Sequence, residues 1–301
     1  MGVSRSIPLL LAVLLAAGCS PGTYFVHRMA DSVSAGGELF GADDDPELVR
    51  DAVPFALKGE EYLLSRNPEH RGLLLSLCRG FTQYAAAFVL QDAVEAADRA
   101  VAEQETARAR RLFLRAKEYG VRGLSAALPG FRERLAEDPR GAAGMAGRQE
   151  VPLLYWTAAA WSLAIASSPN VPSLLADLPR CEALMRRALA LQEDYDAGAI
   201  HEYFVAFEGG RPEAMGGSAE RARRHFERAM RLAAGKRVSP LVTFAETVSV
   251  RTQNRAEFLD LLERALAFDA RSGPPQYRLA NLVAQRKARW LKGRVDELFL
   301  E

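Results

Sequence analysis

The stretch HFERAMRL, His225–Leu232, decides the fold. It is the middle of three strings that align on an Arg-Ala pair, with LMRRALAL (Leu184–Leu191) before it and LLERALAF (Leu261–Phe268) after it. The aligned arginines are Arg187, Arg228 and Arg264. Two positions ahead of them stand Met185, Phe226 and Leu262, two behind stand Leu189, Met230 and Leu266, and four behind stand Leu191, Leu232 and Phe268. Apolar residues at this spacing form one stripe along a helix, and an alanine within the stripe lets a neighbouring helix come close. The aligned arginines are 41 (228−187) and 36 (264−228) residues apart, within the range of roughly 34–41 at which helix pairs stack into a tetratricopeptide-like solenoid. Ala222 and Phe226 in AERARRHFERAM fit the Ala-x-x-x-Phe piece of that repeat, while its first-helix Trp, Leu-Gly and Tyr signature is missing. A weaker copy, LFLRAKEY, surrounds Arg115 and Ala116. The expectation is an all-α fold of degenerate helix pairs with extra helices. A helical bundle with similar stripes is the alternative.

Outward from these strings, almost every segment after Pro46 has helical period and none alternates like a strand for long. Helices are expected at 46–66, 70–90, 91–119, 121–136, 150–167, 173–194, 197–208, 218–234, 239–249, 254–269 and 275–299, as one helical domain over 46–301. The breaks between them carry helix-stop residues, as in RNPEH, EDPRGAAG, SSPNVP and RSGPPQ. The glycine-rich GGRPEAMGGS (Gly209–Ser218) lacks the strand before it and the Gly-Lys-Ser/Thr after it that a phosphate loop needs. It reads as a corner. Gly209 and Gly210 end one helix with positive φ, Pro212 blocks its resumption, and Ser218 caps the next. An anion at the Ser218 helix start is the competing reading.

Lys+Arg number 39 and Asp+Glu 38, a balance that argues against a nucleic-acid binder, which needs a concentrated basic excess. The local basic clusters (Arg221, Arg223, Arg224; Arg286, Lys287, Arg289) have acidic neighbours and read as solvated helix faces. Ile7–Ala17 is an apolar run behind Arg5, too short to span a bilayer and placed as a signal peptide over residues 1–18. It ends in LLAAGCS, which resembles a bacterial lipoprotein signal in which Cys19 is lipidated and becomes the first mature residue. An ordinary secretory signal with an incidental Cys19 is the alternative. Residues 19–45 read as a tether with a short helix around Tyr24–Val33. Cys78 and Cys181 either pair in an oxidising compartment or remain as buried thiols.

Chemistry is sparse. His27, His70, His201 and His225 are scattered, and HEYFV at His201 has Val205 where a zinc-protease motif needs its second histidine. There is no Gly-x-Ser-x-Gly elbow and no Cys-x-x-Cys pair, so no metal, cofactor or catalytic residue is assigned. GADDDPE lacks the alternating ligands of a calcium loop, and Asp45 before Pro46 reads as a helix cap. Aromatics gather mid-chain: Tyr155, Trp156, Trp161, Tyr203, Phe204 and Phe207. Most such rings are core; the functional reading makes them the lining of an apolar groove or pore that holds a small organic or hydrophobic ligand.

The ordered strings DDPELVRDAVPFALKGEEYLL (Asp44–Leu64), GFTQYAAAFV (Gly80–Val89), LYWTAAAWSLAIA (Leu154–Ala166), DLPRCEALMRRALALQEDYDAGAIHEYF (Asp177–Phe204), GGRPEAMGGSAERARRHFERAM and LANLVAQRKARWL (Leu279–Leu291) resemble the T-component of tripartite ATP-independent periplasmic (TRAP) transporter systems. The resemblance covers nearly all of the mature chain. It implies a non-enzymatic periplasmic lipoprotein of tetratricopeptide-like helices, lipid-anchored to a membrane with the outer membrane favoured. It also implies a homotrimer pierced by a pore and a partnership with the system's soluble solute-binding protein. Two other functions stand beside it: a scaffold for outer-membrane or envelope assembly, and an envelope hydrolase built around His201 and Glu202.

Overall fold

Asp45 starts the helix Pro46–Arg66 as the sequence indicates. Its carboxylate accepts from the backbone amides of Glu47 (3.1 Å) and Leu48 (3.0 Å), and Pro46 fills the first helical position, where no amide is needed. The computed structural model describes residues 40–168 and 170–300. Cys19 and the segment Tyr24–Val33 therefore lie outside the described residues. The described chain contains helices and turns and, among those residues, no strand.

The elements run α1 (Pro46–Arg66), α2 (71–95), α3 (Arg99–Ala127), α4 (Phe131–Glu137), α5 (Pro139–Gly144), α6 (Val151–Ala166), α7 (Pro172–Leu175), α8 (Leu178–Leu191), α9 (Ala199–Gly209), α10 (Ala219–Ala233), α11 (239–249), α12 (Arg255–Ala267), α13 (Arg278–Lys292) and α14 (Val295–Leu298). Two of these carry a π-helical turn, Ala85–Leu90 within α2 and Ala245–Ser249 within α11. Contacts sort the long helices into two layers. On one side α2 meets α6, α9 meets α11, and α11 meets α13. Behind them α3 packs on α2 and α6, α8 on α6, α10 on α9, and α12 on α11 and α13. The three repeat strings lie on α8, α10 and α12 of the second layer. Their alanines, Ala188, Ala229 and Ala265, and Ala116 of the weaker copy, are fully buried, as a close helix contact demands.

Two expected boundaries fall elsewhere. The break at 90/91 is bridged by the π-turn, so α2 continues to Glu95. The break near Gly120 does not exist: α3 runs unbroken through Gly120 and Gly123. Glycine is unfavourable inside a helix by about 1 kcal/mol, and here the missing Cβ makes room. A Cβ on Gly120 would lie 2.9 Å from both Cys78 Sγ of α2 and Thr157 Cβ of α6, and closer still to Thr157 Oγ1. Sequence punctuation and packing use the same residue for opposite ends.

Helix α2, long and apolar enough by composition to cross a membrane, is packed between α1, α3 and α6 through the fully buried Leu73, Leu74, Leu77 and Cys78. Both Cys78 and Cys181 are buried free thiols, the second of the two alternatives open to them. Burial pushes each up to about 12, so both stay protonated. The last long helix returns to the first two. Arg286 of α13 donates to Asp92 (2.9 Å) and Glu95 (2.6 Å) at the end of α2, and Arg50 of α1 pairs with the same Asp92. Arg278 donates to the Ala42 carbonyl (2.9 Å) and Arg271 to Asp44 (3.1 Å). The basic clusters are accordingly paired with acids rather than left as an open patch: Arg221 with Glu208, Arg223 with Glu257, and Lys287 with Glu246.

Candidate functional site

The turn that delivers the chain into α9 is strained. Asp196 (φ 45°) and Ala197 (φ 52°) both sit in the left-handed region, followed by Gly198 (φ 89°). For side chains with a Cβ that conformation costs on the order of 1–2 kcal/mol each. Gly198 has a second constraint, since a Cβ there would lie 3.0 Å from Leu232 Cβ and 3.2 Å from the Ala229 carbonyl oxygen of α10. The turn is held from the far side by Arg237, just before α11. Its Nη1 donates to the Asp196 carbonyl (2.9 Å) and its Nη2 to Glu202 Oε2 of α9 (2.6 Å). Glu202 also accepts from Ser239 Oγ (2.9 Å) and Thr243 Oγ1 (3.1 Å) of α11. The pair is nearly buried, with 11% and 15% of the two side chains exposed, and every charge in it has partners. Burial works against the Arg237 charge, and Glu202 and Asp196 more than offset it.

Phenols crowd this network. Tyr155 of α6 packs on Trp156 (5.0 Å between ring centres) and on Tyr195 (5.3 Å). Burial drives the Tyr155 hydroxyl far up, opposed by Arg237 and helped by Glu202 and Asp196, and it takes Tyr195 to about 12. Tyr277, leading into α13, is raised by burial and by Asp196. These phenols are neutral hydrogen-bonding groups at any physiological pH, not acids or bases. Helices α6, α9, α11 and α13 of one layer thus converge on a wall of tyrosines around one compensated ion pair.

Of the six aromatics singled out in the sequence, only Tyr155 and Trp156 belong to this wall. Trp161 is buried, donates its indole N–H to Asp177 (3.1 Å) and carries Lys117 over its ring at 4.7 Å. Tyr203, Phe204 and Phe207 form a separate cluster between α6 and α8. Tyr203 stacks on Phe207 at 5.6 Å and hydrogen-bonds Ser162 at 2.8 Å, and Phe204 is fully buried. Arg237, Tyr195, Asp196 and Tyr277 carried no sequence signal, because nothing local distinguishes an arginine before a helix from a solvated one.

The neighbouring His201 and Glu202 point to different partners. While Glu202 serves Arg237, His201 Nδ1 lies 2.8 Å from His225 Nδ1 and its Nε2 lies 3.0 Å from Glu193. Glu193 is gripped at both oxygens by Arg228 (2.8 and 2.7 Å), whose hydrogen bonds hold it down at about 2. His225 stacks on Phe204 at 4.9 Å, and burial, reinforced by His201, takes its imidazole down to about 4. The pair is neutral and serves to join α9 to α10. Among the described residues no group of three His, Cys, Asp or Glu could hold a metal ion.

GGRPEAMGGS is a corner. Ser218 Oγ accepts from the Arg221 amide at 3.2 Å and starts α10. The positive φ falls on Gly216 (82°), not on Gly209 or Gly210. Those two supply space instead, a Cβ on Gly209 lying 2.6 Å from Val248 and one on Gly210 2.8 Å from the Ala206 carbonyl oxygen.

Residues 42–299 match the family described as the TRAP transporter T-component. A similar protein, an uncharacterized protein of Treponema pallidum (strain Nichols), is 34% identical over 269 residues, covering 87% of this chain and 83% of the relative. The match takes in the converging helices α6, α9, α11 and α13 together with the tyrosine wall, and the chain belongs to the TRAP transporter T-component family.

Proposed function

We propose that this member of the TRAP transporter T-component family is a lipid-anchored, non-catalytic periplasmic subunit that docks the system's soluble solute-binding protein and receives a small organic solute. The observation that carries this reading is the family match over residues 42–299, which makes an accessory role in a TRAP system the frame for everything else. Within that frame the wall of Tyr155, Trp156, Tyr195 and Tyr277 is the solute-facing surface. Aromatic faces supply apolar contact, and neutral phenols supply hydrogen bonds without demanding a charge on the ligand. Trp161, Tyr203, Phe204 and Phe207 back that wall and hold its helices in place.

His201 is held by His225 and Glu193, and Glu202 by Arg237, Ser239 and Thr243, so both join α9 to its neighbours. Anchoring through Cys19 places the body in the periplasm, where a soluble receptor can reach it. The test is direct binding between the full chain and the solute-binding protein encoded beside the two TRAP membrane subunits, measured by calorimetry with and without solute. A saturable complex that weakens at least tenfold on Trp156→Ala, with the fold retained, supports the proposal. Failure of the wild-type proteins to associate under any solute condition overturns it.

A further inference from the structure

We infer that the inner helices form a ring that opens at one seam, between α13 and the α1–α2 hairpin, and that this seam is a side entrance to the tyrosine wall. Elsewhere in the ring the junctions are apolar. Leu73, Leu74 and Leu77 of α2 share a buried cluster with Ala160 of α6. Leu154 and Trp161 of α6 share another with Phe204 and Phe207 of α9. Val205 of α9 joins Leu241 and Val242 of α11 and Ala284 and Ala288 of α13 in a third. Among the described residues, no apolar cluster contains residues of both α13 and the α1–α2 hairpin.

The contacts that close the seam are polar. Arg286 donates to Asp92 and Glu95, Arg50 pairs with the same Asp92, Arg271 with Asp44, and Arg278 donates to the Ala42 carbonyl. Between 25% and 35% of each side chain in the Arg50–Asp92–Arg286–Glu95 cluster is exposed, and Arg271 and Asp44 are more exposed still. Pairs as wet as these are weak one by one and are screened as salt rises, whereas apolar contacts are not. The two sides of the seam also belong to separate cores. The clusters that hold α1 and α2 end by Phe207, the cluster that holds α13 starts at Val205, and α9 carries residues of both. Helix α9 is therefore the hinge, and it follows directly on the left-handed Asp196–Gly198 turn. Helices stacked on their chain neighbours need no contact between the first and the last to stay folded, so parting the seam breaks polar contacts and disrupts no core. Tyr277 stands one residue before Arg278 of the seam, so the gap opens onto the wall. The entrance rests on the proposed role of that wall as the solute-facing surface.

Spin labels on Val94→Cys of α2 and Arg289→Cys of α13, two exposed positions flanking the seam, measure its width by double electron–electron resonance in the full chain carrying Cys19→Ala. Dilution with unlabelled protein keeps the measured distance within one chain, and the buried Cys78 and Cys181 stay unlabelled. One short distance should dominate at about 0.05 M salt, and a longer one should gain at least threefold in population at about 1 M. Arg286→Glu sets like charges against Asp92 and Glu95 and should bring out the longer distance at low salt. Adding Glu95→Arg should restore the short one, because opposite charges then face each other again. Acrylamide quenching of Trp156, in a Trp290→Phe background where the buried Trp161 is the other indole, should at least double in Arg286→Glu and fall back in the exchange. A single distance indifferent to salt and to Arg286→Glu would overturn the opening. So would a longer distance accompanied by labelling of Cys78 or Cys181, which would make the cluster a contact for stability alone. A seam that widens while Trp156 quenching stays the same would overturn the entrance. Neither readout involves solute or receptor, so a failed receptor-binding test beside an intact opening would count against the proposed function and not against the seam.

Discussion

Replacing Gly120 by alanine tests the close approach of α3 to α2 and α6. In an unobstructed helix the change is favourable by about 1 kcal/mol, from backbone entropy lost by the unfolded chain and better solvation of the helix. At Gly120 the added Cβ would lie 2.9 Å from Cys78 Sγ and from Thr157 Cβ, with Thr157 Oγ1 nearer still, all of them on fully buried side chains. Ordinary contacts begin near 3.4 Å, so α3 must move away from two helices at once. Overpacking of this kind costs about 1–3 kcal/mol, and with two rigid neighbours the upper end applies, leaving a net loss of about 2 kcal/mol. Gly59 on α1 is the matched control, because a Cβ there meets nothing and the unfolded-state effect is the same. In dilute solution Gly59→Ala should gain about 1 kcal/mol, so the two alanine variants should differ by about 3 kcal/mol, or roughly 6–12 °C in Tm for a chain this long. The assay is urea and thermal unfolding followed by circular dichroism. Adding Thr157→Ala should harm the Gly120→Ala protein less than the wild type, by about 1 kcal/mol, because it relieves the closest overlap. A Gly120→Ala protein as stable as Gly59→Ala would refute the packing account of α3.

Other expectations follow from the same structure. His225 is depressed to about 4 while an unfolded histidine titrates near 6.5, so the native state resists a proton that the unfolded state accepts. Its contribution is complete above about pH 6.5 and is lost as pH falls toward 4, on the order of 1–2 kcal/mol; His225→Gln should flatten stability across that window, measured by urea titrations at successive pH values. Arg237→Ala would strand Glu202 and release the Asp196 carbonyl, a loss of about 3–5 kcal/mol in urea unfolding, whereas Arg237→Lys, retaining the charge without the fork, should lose less. Cys78 and Cys181 should react with a thiol reagent only after unfolding, which a stopped-flow labelling trace would resolve. Cys19→Ala should release the protein from membranes into the soluble periplasmic fraction; retention in the membrane would count against lipidation.

The sequence by itself determined the helical character and the register of the outer helices. The Arg-Ala strings name the apolar stripe, and Ala188, Ala229 and Ala265 are buried where that stripe requires small residues. The caps at Asp45 and Ser218 were equally legible, because capping is a contact between residues two or three apart. The sequence also pointed to Tyr155 and Trp156, though not to the group they join. Only the tertiary structure decided that Gly120 lies inside a helix rather than between two, since its role depends on atoms of Cys78 and Thr157 from other helices. The same holds for Arg237 and for the left-handed Asp196–Ala197 turn, whose strain is tolerable only because an arginine some forty residues away in sequence holds its carbonyl. Local rules read what a residue does for its own helix; what it does for a neighbouring one depends on distances that no local spacing records.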